Sequence, residues 1–124
     1  MPVTRKISIV DDDDSMRTSL MDLVRALGYD ARGFASAEDF LAHGDAESFA
    51  CMITDIQMPG MSGIDLIEHL TARQCSLPVI MITARLEPGL EEKAFASGAM
   101  CFLKKPIESE ILVGCLERAL NSLT

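Results

Sequence analysis

Short apolar runs alternate along this chain with longer segments in which apolar residues recur every three or four positions. Ile7–Val10 is β-branched and stops abruptly at Asp11, which predicts a buried strand. Asp14 or Ser15 can cap the helix that follows. Met16, Leu20, Leu23, Val24 and Leu27 then fall on one face, and Gly28 suits the position that ends the helix. Asp30–Phe34 reads as a weaker strand. Ser36-Ala37-Glu38-Asp39 has the outline of a capping box, with Asp39 in the place usual for Glu or Gln. It opens a short helix to about Ala42, and a loop runs over 43–47. Cys51–Thr54 is a second clear strand, ending at Asp55. Pro59, Gly60, Ser62 and Gly63 mark a tight loop. Ile64, Ile67, Leu70 and Thr71 trace the next helix. Pro78 precedes Val79–Thr83, the most apolar run and the candidate central strand. Pro88-Gly89 leads into a helix over Leu90–Ser97 of modest amphipathicity, ended by Gly98. Cys101–Lys104 is a fifth strand, closed by Pro106. Ile107–Asn121 carries Ile111, Leu112, Cys115, Leu116 and Leu120 on a last helical face.

The order is β-α five times. Strands apolar on both faces, alternating with helices, predict an α/β fold: a doubly wound parallel five-stranded (βα)5 sheet covered on both sides. A length of 124 residues fits one domain over 1–124 that folds without disulfide or metal. A hydrophobic share of 48% with 24% charged excludes disorder. Nineteen acids against eleven Lys and Arg give a net charge of −8, which argues against direct nucleic-acid binding and against anionic membrane surfaces. No apolar run is long enough to span a membrane. The basic start Met1-Pro2-Val3-Thr4-Arg5-Lys6 is followed only by Ile7–Val10, too short for a signal-peptide core. A cytoplasmic location is the expectation. Cys51, Cys75, Cys101 and Cys115 form no C-x-x-C pair and read as reduced thiols packed as small apolar residues. His43 and His69 read as ordinary surface residues. The methionines read as core filler, with Met58 and Met61 at the rim of the loop after Asp55.

In open parallel sheets, sites form at the carboxyl ends of the strands. Here those ends carry Asp11-Asp12-Asp13-Asp14, Asp55, Thr83-Ala84 and Lys104-Lys105-Pro106. Asp13 and Asp14 are accounted for by a solvated helix N-terminus, which favours negative charge. Asp11, Asp12 and Asp55 adjoin buried strands, where crowded carboxylates must protonate or find a cation. Hard oxygens with no His or Cys nearby suit Mg2+. Taken singly, Thr83 is a common β-former and Lys104 and Lys105 are common surface charges. Together, a carboxylate nucleophile, a hydroxyl, an ammonium and Mg2+ are the parts of a phosphoryl-transfer site that forms an acyl phosphate.

With those residues in place the chain resembles the receiver domain of two-component response regulators, the CheY-like superfamily. The resemblance runs from Ile7 to Leu120. It rests on Ile9-Val10-Asp11-Asp12-Asp13, Ile53-Thr54-Asp55 through Met61-Ser62-Gly63, Pro78 through Thr83-Ala84, Ser97-Gly98-Ala99 and Phe102-Leu103-Lys104-Lys105-Pro106, all in order. Ser36-Ala37-Glu38-Asp39-Phe40-Leu41 is similar to FixJ-like members in particular. The resemblance implies a flavodoxin-like sheet of order 2-1-3-4-5 and a phosphoryl group accepted on Asp55 from the phosphohistidine of a sensor histidine kinase or phosphotransfer protein. It implies Mg2+ held by Asp11, Asp12, Asp55 and the backbone carbonyl of Gln57. It further implies Thr83, Ala84 and Lys105 as phosphoryl contacts, and Thr83 with Phe102 as the switch. Gln57 and Arg85 vary among receivers and would tune the lifetime of the acyl phosphate. The partners implied are a kinase, a downstream target or output domain, and a second copy once phosphorylated. Such a domain is no enzyme beyond its own phosphorylation and dephosphorylation. A related expectation is a receiver excised from a longer FixJ-like DNA-binding factor.

Two other readings compete. Asp11-x-Asp13 after a strand is similar to the Asp-nucleophile phosphatases of the haloacid dehalogenase class, but 124 residues leave no room for their cap domain. A calcium loop starting at Asp11 would need Gly at its sixth position and Glu at its twelfth. Met16 and Asp22 stand there.

Overall fold

A computed structural model describes residues 5–121. Residues 1–4 of the basic start lie outside them, and the short apolar run Ile7–Val10 that follows it lies within β1. The strands are β1 (Lys6–Val10), β2 (Asp30–Phe34), β3 (Cys51–Asp55), β4 (Val79–Thr83) and β5 (Cys101–Lys104). The helices are α1 (Asp14–Ala26), α2 (Ala37–His43), α3 (Gly63–Ala72), α4 (Leu90–Ser97) and α5 (Ser109–Asn121), and a 3-10 turn occupies Ala46–Ser48. All strand pairs are parallel, in the order β2-β1-β3-β4-β5.

The sheet divides the core by strand parity, because successive side chains leave a strand on opposite faces. Ile7, Ile9, Cys51, Ile53, Ile80, Ile82 and Cys101 pack with Leu20, Leu112 and Leu116 under α1 and α5. Val10, Met52, Val79 and Met81 pack with Phe40, Leu66, Leu70 and Ala94 under α2, α3 and α4. Both faces are covered by helices, which is why β1, β3 and β4 read as nearly continuous apolar runs.

Several sequence expectations are corrected. Asp13, not Asp14 or Ser15, caps α1: its side chain accepts from the N–H groups of Ser15 and Met16. At α2, Ser36 accepts from Asp39 N–H, and no reciprocal bond is present. The complete capping box lies at α3, where Ser62 accepts from Asp65 N–H and Asp65 accepts from Ser62 N–H. The last helix starts at Ser109, two residues later than expected. Ile111 is 49% exposed, because the buried face of α5 is centred on Leu112, Cys115 and Leu116, one position round the helix. His43 closes α2 and stacks at 5.4 Å from Phe34 and 6.1 Å from Phe49, so it is not a simple surface residue. Met58 is buried in the core under α2 to α4 rather than lining a rim.

Candidate functional site

The same parity that sorts the core builds the site. Counting in twos, Asp11 continues Ile7 and Ile9, Asp55 continues Cys51 and Ile53, and Lys105 continues Cys101 and Leu103. Three polar groups therefore arrive on one side of the carboxyl edge, at the last residue of β3 and at the first residues past β1 and β5. Lys104 shares the parity of Phe102 and is exposed, whereas Lys105 places Nζ at 3.1 Å from Asp11 Oδ2 and 3.3 Å from Asp55 Oδ2. One ammonium thus bridges two buried carboxylates. The Lys105–Pro106 peptide is cis.

The acids are held individually. Asp11 Oδ1 accepts from Asp13 N–H at 2.9 Å. Its backbone carbonyl accepts from the Arg17 guanidinium at 2.7 Å. Its Oδ2 has no hydrogen-bond donor and meets only the Lys105 charge. Asp55 Oδ1 accepts from Gln57 N–H at 3.3 Å. Asp12 is exposed at the mouth. Asp11, Asp12 and Asp55 each offer a carboxylate oxygen within 4.8 Å of one another. Hard oxygen donors, one of them buried and undersatisfied, fit an oxygen-seeking divalent cation such as Mg2+.

Burial pushes the Asp55 carboxyl above the usual range and the Asp11 charge adds to this; Lys105 and the Gln57 N–H oppose the rise without cancelling it. Burial alone would lower the Lys105 ammonium. Its close contact with Asp11 and the charges of Asp55 and Asp11 outweigh that and hold it above the ordinary lysine value. A carboxyl raised in the folded state ionises more readily in the unfolded chain, so ionisation of Asp55 favours unfolding. Stability from this group falls as pH rises from the ordinary aspartate range through the raised value. Asp55→Asn should therefore melt higher at pH 7 than wild type, by on the order of a few degrees. The advantage should vanish below pH 3.8, the ordinary value. A scanning-calorimetry series over pH checks both the sign and its disappearance.

Thr83 ends β4 with the opposite parity, on the face of Val79 and Met81, and Phe102 lies on that face of β5, beside Met81. Phe102 is half-buried against the core under α2 to α4. Thr83 Oγ1 donates to the Gln57 side-chain carbonyl and accepts from Arg85 N–H at 3.1 Å. Ala84 is exposed between them. The loop after Asp55 is pinned from two sides. Gly63 N–H donates to Ile56 O at 2.9 Å. Glu38 of α2 accepts from Met61 N–H at 3.0 Å, which holds its carboxyl below the usual range. Gly60 has φ +77°, a backbone conformation that favours glycine, and a Cβ there would lie 2.5 Å from Glu38 Oε2 and push that side chain off Met61 N–H. Glu38 and Arg17 are contacts of the site that the sequence reading lacks; Gln57 and Arg85, expected to flank it, do so. For Glu38 the available signal was its place in the motif Ser36–Leu41.

A family model described as "Response regulator receiver domain" matches residues 7–117. The chain belongs to the response regulator receiver domain family. This receiver is 35% identical over 115 residues to the transcriptional regulatory protein FixJ of Bradyrhizobium diazoefficiens, covering 93% of the chain and 56% of FixJ. It is also 35% identical over 115 residues to the response regulator protein TodT of Pseudomonas putida, covering 93% of the chain and 51% of TodT. The receiver thus spans about half the length of these curated relatives. Among solved structures, FixJ-N superposes with a TM-score of 0.88 at 31% identity, covering 99% of this chain and 98% of that one. The strand order taken from the resemblance, 2-1-3-4-5, is the order observed. No helix among the described residues is long and apolar enough to cross a membrane.

Proposed function

We propose that this receiver accepts a phosphoryl group on Asp55 in a Mg2+-dependent transfer and uses the new charge to change a protein-binding surface. One observation carries the reading: a single ammonium, Lys105, bridges the buried carboxylates of Asp11 and Asp55 within reach of a third acid. Two buried acids on one ammonium with a third acid beside them carry more negative charge than an ion pair balances. That surplus suits a divalent cation, which together with the ammonium would receive a dianionic phosphoryl group.

The donor is a phosphohistidine of a sensor histidine kinase or phosphotransfer protein. An Asp55 carboxylate oxygen forms the new bond to phosphorus. The P–N bond breaks, and its electron pair returns to the imidazole nitrogen. The product is an acyl phosphate. Lys105, released from sharing two carboxylates, turns to a phosphoryl oxygen, while the Thr83 hydroxyl and the Ala84 N–H donate to the others. Asp11, Asp12, Asp55 and the Gln57 backbone carbonyl would hold Mg2+, which supplies neutralising charge for the phosphoryl oxygens. Attack of water on the same phosphorus returns Asp55 and inorganic phosphate, so the only reactions are the domain's own.

Movement of Thr83 toward the phosphoryl group vacates space on β4, and Phe102 on the same sheet face turns into it. α4 is the mobile element: it starts from Pro88-Gly89 with no side-chain cap. Leu86 before α4, Phe95 on α4 and Ile111 on α5 are exposed at 58%, 46% and 49%, apolar area that would suit a target protein, an output domain or a second copy. With a net charge of −8, nucleic acid and membrane are not its direct partners, and the work is cytoplasmic. Residues 1–124 act as one domain. Because this receiver matches only 56% of a relative named as a transcriptional regulator, a second reading is that it governs a DNA-binding output domain.

The test is phosphoryl uptake from acetyl phosphate, followed by intact mass, with and without Mg2+. Uptake should require the metal. Mg2+ should also raise the melting temperature, by about 1.4 kcal/mol of stability at a tenfold excess over its dissociation constant. Asp12→Ala should abolish that shift. A wild-type melting temperature unmoved by tens of millimolar Mg2+ would remove the metal site.

A further inference from the structure

Thr83 is not free to answer a phosphoryl group. Its hydroxyl is one member of a closed ring of hydrogen bonds that joins the two loops flanking Asp55. Thr83 Oγ1–H donates to Gln57 Oε1. Gln57 Nε2–H donates to the Arg85 carbonyl at 3.1 Å. Arg85 N–H donates back to Thr83 Oγ1 at 3.1 Å. Thr83 Oγ1 also lies 2.8 Å from the Arg85 carbonyl, but a hydroxyl has one proton to give. The ring settles where it goes. With Nε2 supplying the Arg85 carbonyl, the Thr83 proton is left for Oε1. Reversing the amide would set Oε1 against the Arg85 carbonyl, two acceptors with no proton between them.

We infer that the Gln57 side chain is a latch for the unphosphorylated state: a positioning residue that occupies the Thr83 hydroxyl and ties down the β4–α4 loop. The inference rests on the reading that Thr83 reports the phosphoryl group on Asp55. Gln57 lies two residues after Asp55, and its N–H donates to Asp55 Oδ1. Arg85 lies two residues after Thr83. The amide therefore spans from the loop that carries the acceptor to the loop that must move. Bonds present in the free state and broken in the activated one work against activation by their own free energy, because a ligand shifts an equilibrium only by its differential affinity for the two states. Losing the Thr83 bond and the Arg85 bond should release a factor of roughly three to ten in activator affinity.

Gln57→Met keeps length and removes both hydrogen bonds. The probe is beryllofluoride with Mg2+, a phosphoryl mimic, with affinity measured by titration calorimetry on the whole chain. Gln57→Met should bind it roughly three- to tenfold tighter than wild type. In the Thr83→Ala background the same substitution should give a clearly smaller gain, since the hydroxyl it restrains is gone and only the Arg85 carbonyl bond is left to lose. In the free protein, the Arg85 amide should exchange its hydrogen faster in Gln57→Met than in wild type. Equal or weaker beryllofluoride binding by Gln57→Met overturns the latch. So does a gain that persists undiminished in Thr83→Ala, or unchanged exchange at Arg85. Wild-type protein that takes up no beryllofluoride overturns the phosphoacceptor reading instead, and the exchange measurement then decides the latch alone.

Discussion

Asp55→Asn is expected to take up no phosphoryl group. Wild type incubated with acetyl phosphate and Mg2+ should gain about 80 Da, one phosphoryl group. The variant should lose this by on the order of a thousandfold or more in rate, the scale on which removing a nucleophile acts. A neutral amide oxygen is a poor nucleophile, and the change also removes one of three converging carboxylates. No neighbouring acid is equipped to replace it. Asp11 has one oxygen committed to Asp13 N–H and the other set against Lys105. Asp13 is committed to the N–H groups of Ser15 and Met16. Asp12 is exposed and lacks the Lys105 contact that Asp55 has. Intact-mass measurement decides the matter, and an adduct retained by Asp55→Asn would move the acceptor to another residue.

Lys105→Met should be the most destabilising single change at the site. It strips the countercharge from Asp11, which is fully buried, and from Asp55, which is 5% exposed. Breaking a buried pair from one side costs roughly 3–5 kcal/mol. The Lys105 side chain is 17% exposed, so solvent screens part of this and about 2–3 kcal/mol is expected at pH 7 without Mg2+. Adding Asp55→Asn to Lys105→Met should recover part of the loss, because one of the two stranded charges is gone. Lys104→Met should change stability by less than about 0.5 kcal/mol, as for an exposed surface residue. The pH dependence follows from the raised Lys105 ammonium. Its contribution is complete below the ordinary lysine value and is lost as pH rises through the folded value, so on the alkaline side the wild-type advantage over Lys105→Met should shrink above pH 10.5. On the acid side it should shrink as the raised Asp55 carboxyl takes up its proton. Calorimetric melting of the four proteins checks the ranking, and a Lys105→Met as stable as Lys104→Met would mean that the bridge contributes nothing to folding.

The strands easiest to see in the sequence are those with both faces covered. Ile7–Val10, Cys51–Thr54 and Val79–Thr83 carry apolar residues at every position but Ser8 and the two threonines, because α1 and α5 press on one side and α2 to α4 on the other. β2 was faint for the converse reason. It is one of the two edge strands, and Asp30 and Arg32 are exposed while Ala31 and Phe34 are buried. Helix starts were placed less well than helices. Four consecutive aspartates offer several equivalent caps, and only the backbone turn at Asp13 selects one. Ile111 was misplaced because a run of adjacent apolar residues fits a helical face in two rotations, and packing against β3 and β4 chooses between them.

By itself, the order of apolar runs and breaking residues determined that this is a five-fold β-α repeat with a parallel sheet. Local patterning is enough for that, since each element buries its own stripe. The same order placed Asp11, Asp12, Asp55, Thr83 and Lys105 at one edge, because parallel strands all end on the same side. Tertiary structure decided what those residues touch. Lys105 rather than Lys104 reaches Asp11 and Asp55 because strand parity and the position of β5 aim it there. The Thr83 hydroxyl meets the Gln57 amide because two loops, 26 residues apart in the chain, fold against each other. A hydrogen bond of that kind depends on distances of a few tenths of an ångström between segments with no local relation, and no pattern of residue types records it.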